Sequence, residues 1–242
     1  MPYRKEKFEN GDIVHVILKG VDGNTIFKDI DDYYRGIFSI YEFNNLKPVS
    51  IKYRREIINR LKKSIRGPTS DSFIPDERER IVDLLTFCFM PNHIHLLLRQ
   101  IKDNGITEFM RKVGTGYGGY INRKYHRQGH VFQGSFNAVH IKTDEQLKVV
   151  FAYIHTNPIS LIYSDWKNIK IKEEDFDKII KFLENYRWSS YLDYAGIKNF
   201  SSVTQREFIL ELFGGENNCK EFIKDYIINK GELKEYSELF LE

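Results

Sequence analysis

Cysteine is nearly absent from this chain of 242 residues: there are two, Cys88 and Cys219, far apart in sequence. That scarcity excludes a cysteine-built zinc module and a disulfide framework, and predicts a reducing, cytoplasmic setting. No stretch approaches roughly eighteen uncharged apolar residues, and the opening Met-Pro-Tyr-Arg-Lys-Glu-Lys has no apolar core, so neither a membrane helix nor a signal peptide is expected. Internal repeats and low-complexity tracts are also missing, and the length suits one domain with appendages or two small ones. A net charge of only +3 favours no class of partner. One local absence says more: no acidic residue lies between Glu108 and Asp144.

What fills that interval is a mixture of cations and rings. Arg111, Lys112, Arg123, Lys124, Arg127 and Lys142 interleave with Tyr117, Tyr120, Tyr125, Phe132 and Phe136. Cations neutralise phosphates and rings stack on unpaired bases, so the composition suits single-stranded nucleic acid. A core of aromatics under a solvated charged face would give the same pattern. A second basic run, Lys52, Arg54, Arg55, Arg60, Lys62, Lys63 and Arg66 against Glu56 alone, reads equally as a solvated helix face.

Periodicity orders the elements. A strand is predicted over 12–19, a helix over about 30–44, and a basic helix from Ile51 to Ile65, followed by a loop over Gly67–Asp76; the whole of 45–80 reads as an insertion. Ile81–Phe89 and His93–Leu98 flank Met90-Pro91-Asn92 and should pair as a hairpin. Thr107 should cap a helix kinked by Gly114, Gly116, Gly118 and Gly119, and Val131–Ile141 should be a bent strand. Thr143 and Gln146 fit a capping box ahead of a buried stripe of Leu147, Val150, Phe151 and Ile154. Tyr153 then projects roughly 110° from that stripe, with Asn157 one turn on, before Pro158 ends the helix. A helix over about 175–183, an aromatic segment Tyr186–Gly196, a capping box Thr204–Glu207 opening a helix to Phe213, and two helical stretches in 217–242 complete the chain.

His93 and His95 stand two apart on a strand, so both imidazoles face one way within apolar surroundings that make an unsatisfied ring costly. Either they bond to neighbours or they hold one metal ion.

Taken in order, Val14-His-Val-Ile-Leu-Lys-Gly20, Phe87-Cys-Phe-Met-Pro-Asn-His-Ile-His-Leu-Leu-Leu98, Gly116-Tyr-Gly-Gly-Tyr-Ile-Asn-Arg123, Gly129-His-Val-Phe-Gln-Gly134, Tyr153-Ile-His-Thr-Asn-Pro158 and Trp188-Ser-Ser-Tyr191 resemble the HUH single-tyrosine transposases, and most closely the REP-associated tyrosine transposase group, over roughly residues 10–197. The resemblance implies an α+β, ferredoxin-like (RRM-like) central antiparallel sheet with helices on its faces and the histidine strand inside, as a domain over 8–197, with a C-terminal helical extension over 198–242. It implies Tyr153 as nucleophile, His93, His95 and Asn157 as ligands of Mg²⁺ or Mn²⁺, and a hairpin-forming single-stranded DNA as substrate. Attack would leave a 5′-phosphotyrosine and a free 3′-hydroxyl. A monomer with the site complete in one chain is favoured over a dimer that exchanges the tyrosine helix, acting in the cytoplasm near the nucleoid and with no membrane. Arg111, Lys112, Arg123, Lys124 and Arg127 are candidates for backbone contacts, with Tyr117 and Tyr120 as stacking residues. A non-cleaving regulator descended from a transposase and a metal-dependent hydrolase using water are the rival readings. The 45–80 segment is longer and more basic than the family suggests, Ser135 stands where a basic residue is more usual, and 198–242 has no assigned role.

Overall fold

The computed structural model describes residues 7–64, 76–166, 173–229, 236 and 239–241. Four strands, β1 (Ile13–Lys19), β2 (Val82–Met90), β3 (His93–Gln100) and β4 (Asn137–Ile141), form an antiparallel sheet in the order β2-β3-β1-β4. Helix α1 (Ile30–Glu42) links β1 to a further helix α2 (Ile51–Ser64) before β2, and α3 (Gly105–Lys124) joins β3 to β4. Without α2, that order of strands and helices is the ferredoxin-like α+β arrangement expected from the sequence, with the histidine strand inside.

Strand alternation divides the sheet into two faces. Val14, Val16, Leu18, Phe87, Phe89, Ile94, Leu96 and Leu98 belong to a core shared with α1 and α3. Leu85, Cys88, Met90 and Leu97 belong to a second core, built with α4 (Asp144–Thr156). The same second core takes in α5 (Glu173–Leu183), α6 (Tyr191–Tyr194), α7 (Glu207–Phe213) and α8 (Glu216–Asn229) through Ile179, Leu183, Tyr194, Ile209, Phe213, Ile223 and Ile227. Residues beyond 198 thus cover the tyrosine helix. Burying a side chain such as Ile209 or Ile223 contributes about 1.5–3 kcal/mol.

Two close approaches set α1 and α3 on their face. A Cβ at Gly36 would lie 2.5 Å from the Phe89 ring, and one at Gly116 would run into the Phe43 ring. Glycine therefore supplies contact distance here, and α3 runs unbroken through all four glycines. The predicted kink is corrected on that point. Its start is corrected too: Asn104, in a left-handed conformation, precedes the helix, and Thr107 lies inside its first turn. The predicted strand over Val131–Ile141 shortens to β4, with only an isolated bridge from Phe132 to Gly20 before it. The box expected at Thr204–Glu207 does not form, because Gln205 turns its amide oxygen to the Leu84 N–H at 2.8 Å and Arg206 becomes the residue before α7. Most of the loop predicted over Gly67–Asp76 lies outside the described residues.

The segment Arg187–Ser190 runs beside the outer edge of β2, with Phe89 N–H donating to Trp188 O at 2.9 Å and Ser190 N–H to Phe87 O at 3.0 Å. It satisfies part of an edge that would otherwise be open to another chain. Among the described residues no helix is long and apolar enough to cross a membrane.

Candidate active site

Antiparallel pairing puts Ile17 opposite His95 and Lys19 opposite His93, so His15, one alternation from Ile17, shares their face. The His93 and His95 rings meet edge to face at 4.7 Å between centroids, and His15 lies nearly parallel to His95 at 5.2 Å. Both His15 and His95 are buried. His15 is not legible as a site residue from sequence, because a lone histidine between two valines of an apolar strand has no spacing to flag it.

A carbonyl oxygen only accepts, so the 2.8 Å contact from His15 Nδ1 to Leu239 O requires a proton on Nδ1. Burial holds His15 neutral, lowering its pKa to about 4 against the opposing pull of that carbonyl. His15 Nε2 is then an acceptor, and the 3.0 Å contact with His95 Nδ1 makes His95 Nδ1–H the donor. In the same way His93 Nδ1 lies 2.7 Å from Asn92 Oδ1, which can only accept. Each histidine of the pair therefore carries its ring lone pair on Nε2, the tautomer that binds a metal, with the other nitrogen fixed by a neighbour.

Tyr153 comes from α4. Its ring stands perpendicular to His95 at 5.6 Å between centroids and edge-on to His15 at 5.8 Å. Contrary to the expected projection from the edge of the buried stripe, Tyr153 is 1 % exposed. The reason is that α4 is buried all round, from Leu147 through Thr156 except Lys148, between β2 and α8. Phe240 closes the remaining side, stacked on the Tyr153 ring at 4.3 Å and 11°. Burial raises the phenol's pKa, and the Asn157 side chain opposes that rise.

Asn157 keeps helical dihedrals, φ −50° and ψ −40°, although it precedes proline, and its Nδ2 donates to Tyr153 O at 3.2 Å. Pro158 does not stop the chain's helical course but opens a 3-10 turn, Asn157–Leu161. Asn157 is buried, one turn beyond the tyrosine. No group of three His, Cys, Asp or Glu gathers around one point among the described residues. The Nε2 atoms of His93 and His95 with the amide oxygen of Asn157 would be a donor set that fits Mg²⁺ or Mn²⁺ and lacks the thiolates of a structural zinc site.

His155, between Tyr153 and Asn157 in the motif, has a different task. Its Nε2 bonds to Ser190 Oγ at 2.8 Å, and that hydroxyl also accepts from Phe87 N–H at 3.0 Å. It ties α4 to the segment along β2, and burial lowers its pKa to about 3.

The nucleic-acid candidates sort unequally. Tyr117 is fully buried, its hydroxyl donating to Ile26 O at 2.9 Å, so no base can stack on it and that expectation is corrected. Tyr120 donates to Asp32 Oδ1 at 3.0 Å, and Lys124 Nζ lies 2.7 Å from both Asp29 and Asp32. Lys112 Nζ donates to the carbonyls of Asn45, Leu46 and Lys47, while Arg111 pairs with Glu108 at 2.7 Å. Arg123 is exposed and lines a cleft between α1, α2 and α3, and Arg127 is half-buried in the turn after α3.

Residues 49–157 match the family described as Transposase IS200 like. That span contains His93, His95, Tyr153 and Asn157. Among solved structures, one of a REP-associated tyrosine transposase bound to a REP hairpin aligns with 83 % of this chain and 89 % of its own, at 11 % identity and a TM-score of 0.45. No curated protein matches the sequence significantly.

Proposed function

We propose that this chain, whose residues 49–157 carry the IS200-like transposase signature, is a metal-dependent enzyme that cleaves and rejoins single-stranded DNA beside a hairpin. The observation that carries this reading is the placement of the Tyr153 ring edge-on to His95 at 5.6 Å, with Asn157 one turn beyond it. His93, His95 and Asn157 would hold the divalent ion. When bound, that ion polarises the scissile phosphate and stabilises the charge that develops on it.

The rest belongs to the chain. The Tyr153 oxygen forms a bond to phosphorus while the bond from phosphorus to the 3′-oxygen breaks, and the phenolic proton ends on the released 3′-hydroxyl. The 5′-phosphotyrosine conserves the energy of the phosphodiester, so a second 3′-hydroxyl can reverse the step and strand transfer needs no nucleotide. A phenol is neutral at pH 7, and burial shifts its ionisation further up, so Tyr153 enters the reaction with its proton. His15 and Asn92 orient the two imidazoles, and Phe240 excludes water from the tyrosine ring until DNA displaces it.

The test is incubation with a labelled hairpin oligonucleotide and Mg²⁺ or Mn²⁺, followed by a denaturing gel. A covalent protein–DNA adduct that is lost in Tyr153→Phe is the expected result. Cleavage without an adduct would make the protein a hydrolase using water, and binding without cleavage a regulator.

A further inference from the structure

On the face of the sheet away from Tyr153, α1, α2 and α3 enclose a cleft of about 790 Å³. Arg35 from α1, Arg55 from α2, and Arg111, Lys112 and Arg123 from α3 line it, against Glu56 and Glu108. Five cations less two carboxylates leave +3 in the cleft, as much as the formal charge of the entire chain.

The charges are not paired off. Glu108 is taken by Arg111, and among the described residues no carboxylate pairs with Arg35, Arg55 or Arg123. Arg35 Nε is buried without a hydrogen-bond partner. Burial, then the neighbouring charge of Arg55, lowers the Arg35 pKa to about 10, with Arg123 adding to it. Gathering unpaired guanidinium groups works against folding, so such a cleft is built for an anion. Gly119 contributes: a Cβ there would lie 3.3 Å from Arg123 Nη1, so glycine leaves the room in which that guanidinium lies. Guanidinium is also the group whose planar fork matches phosphate oxygens.

We propose that this cleft binds backbone phosphates of the DNA, on the opposite side of the sheet from the cleavage centre, through Arg35, Arg55 and Arg123. The assignment rests on the DNA-cleaving reading above. It separates the holding of the DNA from the cutting of it: one stretch of strand lies in the α1–α2–α3 cleft while another reaches Tyr153.

Fluorescence anisotropy of a labelled hairpin oligonucleotide over a salt series tests it, using the full chain, Arg55→Gln and Arg123→Gln, with pyrophosphate as competitor. Each substitution should reduce the slope of log affinity against log salt by about one and weaken binding severalfold for every sequence tried. Both replaced side chains are exposed, so melting temperatures should not fall. Hairpin binding with unchanged slopes in both variants would overturn the cleft alone. A wild-type protein that binds no hairpin would overturn the proposed function as well. Pyrophosphate bound in the cleft without displacing DNA would assign it to a small anion and overturn the DNA contact.

Discussion

His15 Nε2 lies 3.0 Å from His95 Nδ1, while His15 Nδ1 lies 2.8 Å from the Leu239 carbonyl, so a relay of two buried rings connects the C-terminal segment to β3. The direction of every proton in that relay follows from the carbonyl at its end. Removing His15 leaves His95 free to take the other tautomer. His15→Gln should weaken Mn²⁺ binding about 10–100-fold, the usual effect of losing a group that orients a ligand. Calorimetric or EPR titration of the DNA-free protein measures it, and unchanged affinity would remove His15 from the site.

Phe240 lies flat on Tyr153 at 4.3 Å. In Phe240→Ala, water reaches the phenol, and its pKa should fall back toward the ordinary value near 10. A difference titration of tyrosinate absorbance between Phe240→Ala and Phe240→Ala/Tyr153→Phe isolates that one phenol. The variant should also form its DNA adduct faster, since the aromatic cover no longer has to be displaced.

Asp32 accepts hydrogen bonds from Lys124, Tyr120, Tyr125 and the Lys28 N–H. Desolvation works against its charge, yet the donors, Lys124 first, hold its pKa below the usual carboxylate range. A carboxylate depressed in the folded state contributes stability above its unfolded pKa and loses it as pH falls through the folded value. Acid should therefore destabilise the wild type below about pH 4. Asp32→Asn should cost about 1–3 kcal/mol at pH 7, because an amide NH₂ replaces one of the oxygens that accept from Tyr120, Tyr125, Lys124 and the Lys28 N–H while Lys124 keeps Asp29, and should flatten that acid limb in denaturant titrations.

Gly116 leaves no space for a side chain beneath the Phe43 ring. Gly116→Ala would ordinarily gain about 1 kcal/mol from helix propensity. Here it should instead lower the melting temperature, because the ring must move from a packed core. A Gly116→Ala/Phe43→Leu double variant should recover part of the loss. Gly114, with open space around it, is the control: Gly114→Ala should stabilise.

The elements legible in the sequence are those whose pattern is self-sufficient. The β2–β3 hairpin shows itself through two apolar runs about Pro91, and α4 through the Thr143 cap, whose hydroxyl accepts from Gln146 N–H at 3.2 Å. That His93 and His95 share a face, one strand alternation apart, and that Asn157 stands one helix turn beyond Tyr153 is likewise readable from spacing, whereas their union in one site is what the resemblance implies. What failed to show depends on partners distant in sequence. Tyr117 looks like a candidate for stacking until α1 covers it, and the α3 glycines look like a kink until Phe43 fills the gap. His15 carries no spacing signal, and the role of Phe240 exists only once the C-terminal segment has crossed α4.

The His15–Leu239 hydrogen bond spans 224 positions. Contacts of such separation form late, because chain closure over a long loop must precede them. During synthesis, β1, β3 and α4 all emerge before Leu239, and in that interval the His95 tautomer is unset and the tyrosine uncovered. Leu239 and Phe240 are thus the residues that complete the packing around His15 and Tyr153. A chain in which that segment has not yet docked holds the proposed nucleophile and both imidazoles without the contacts that orient and cover them.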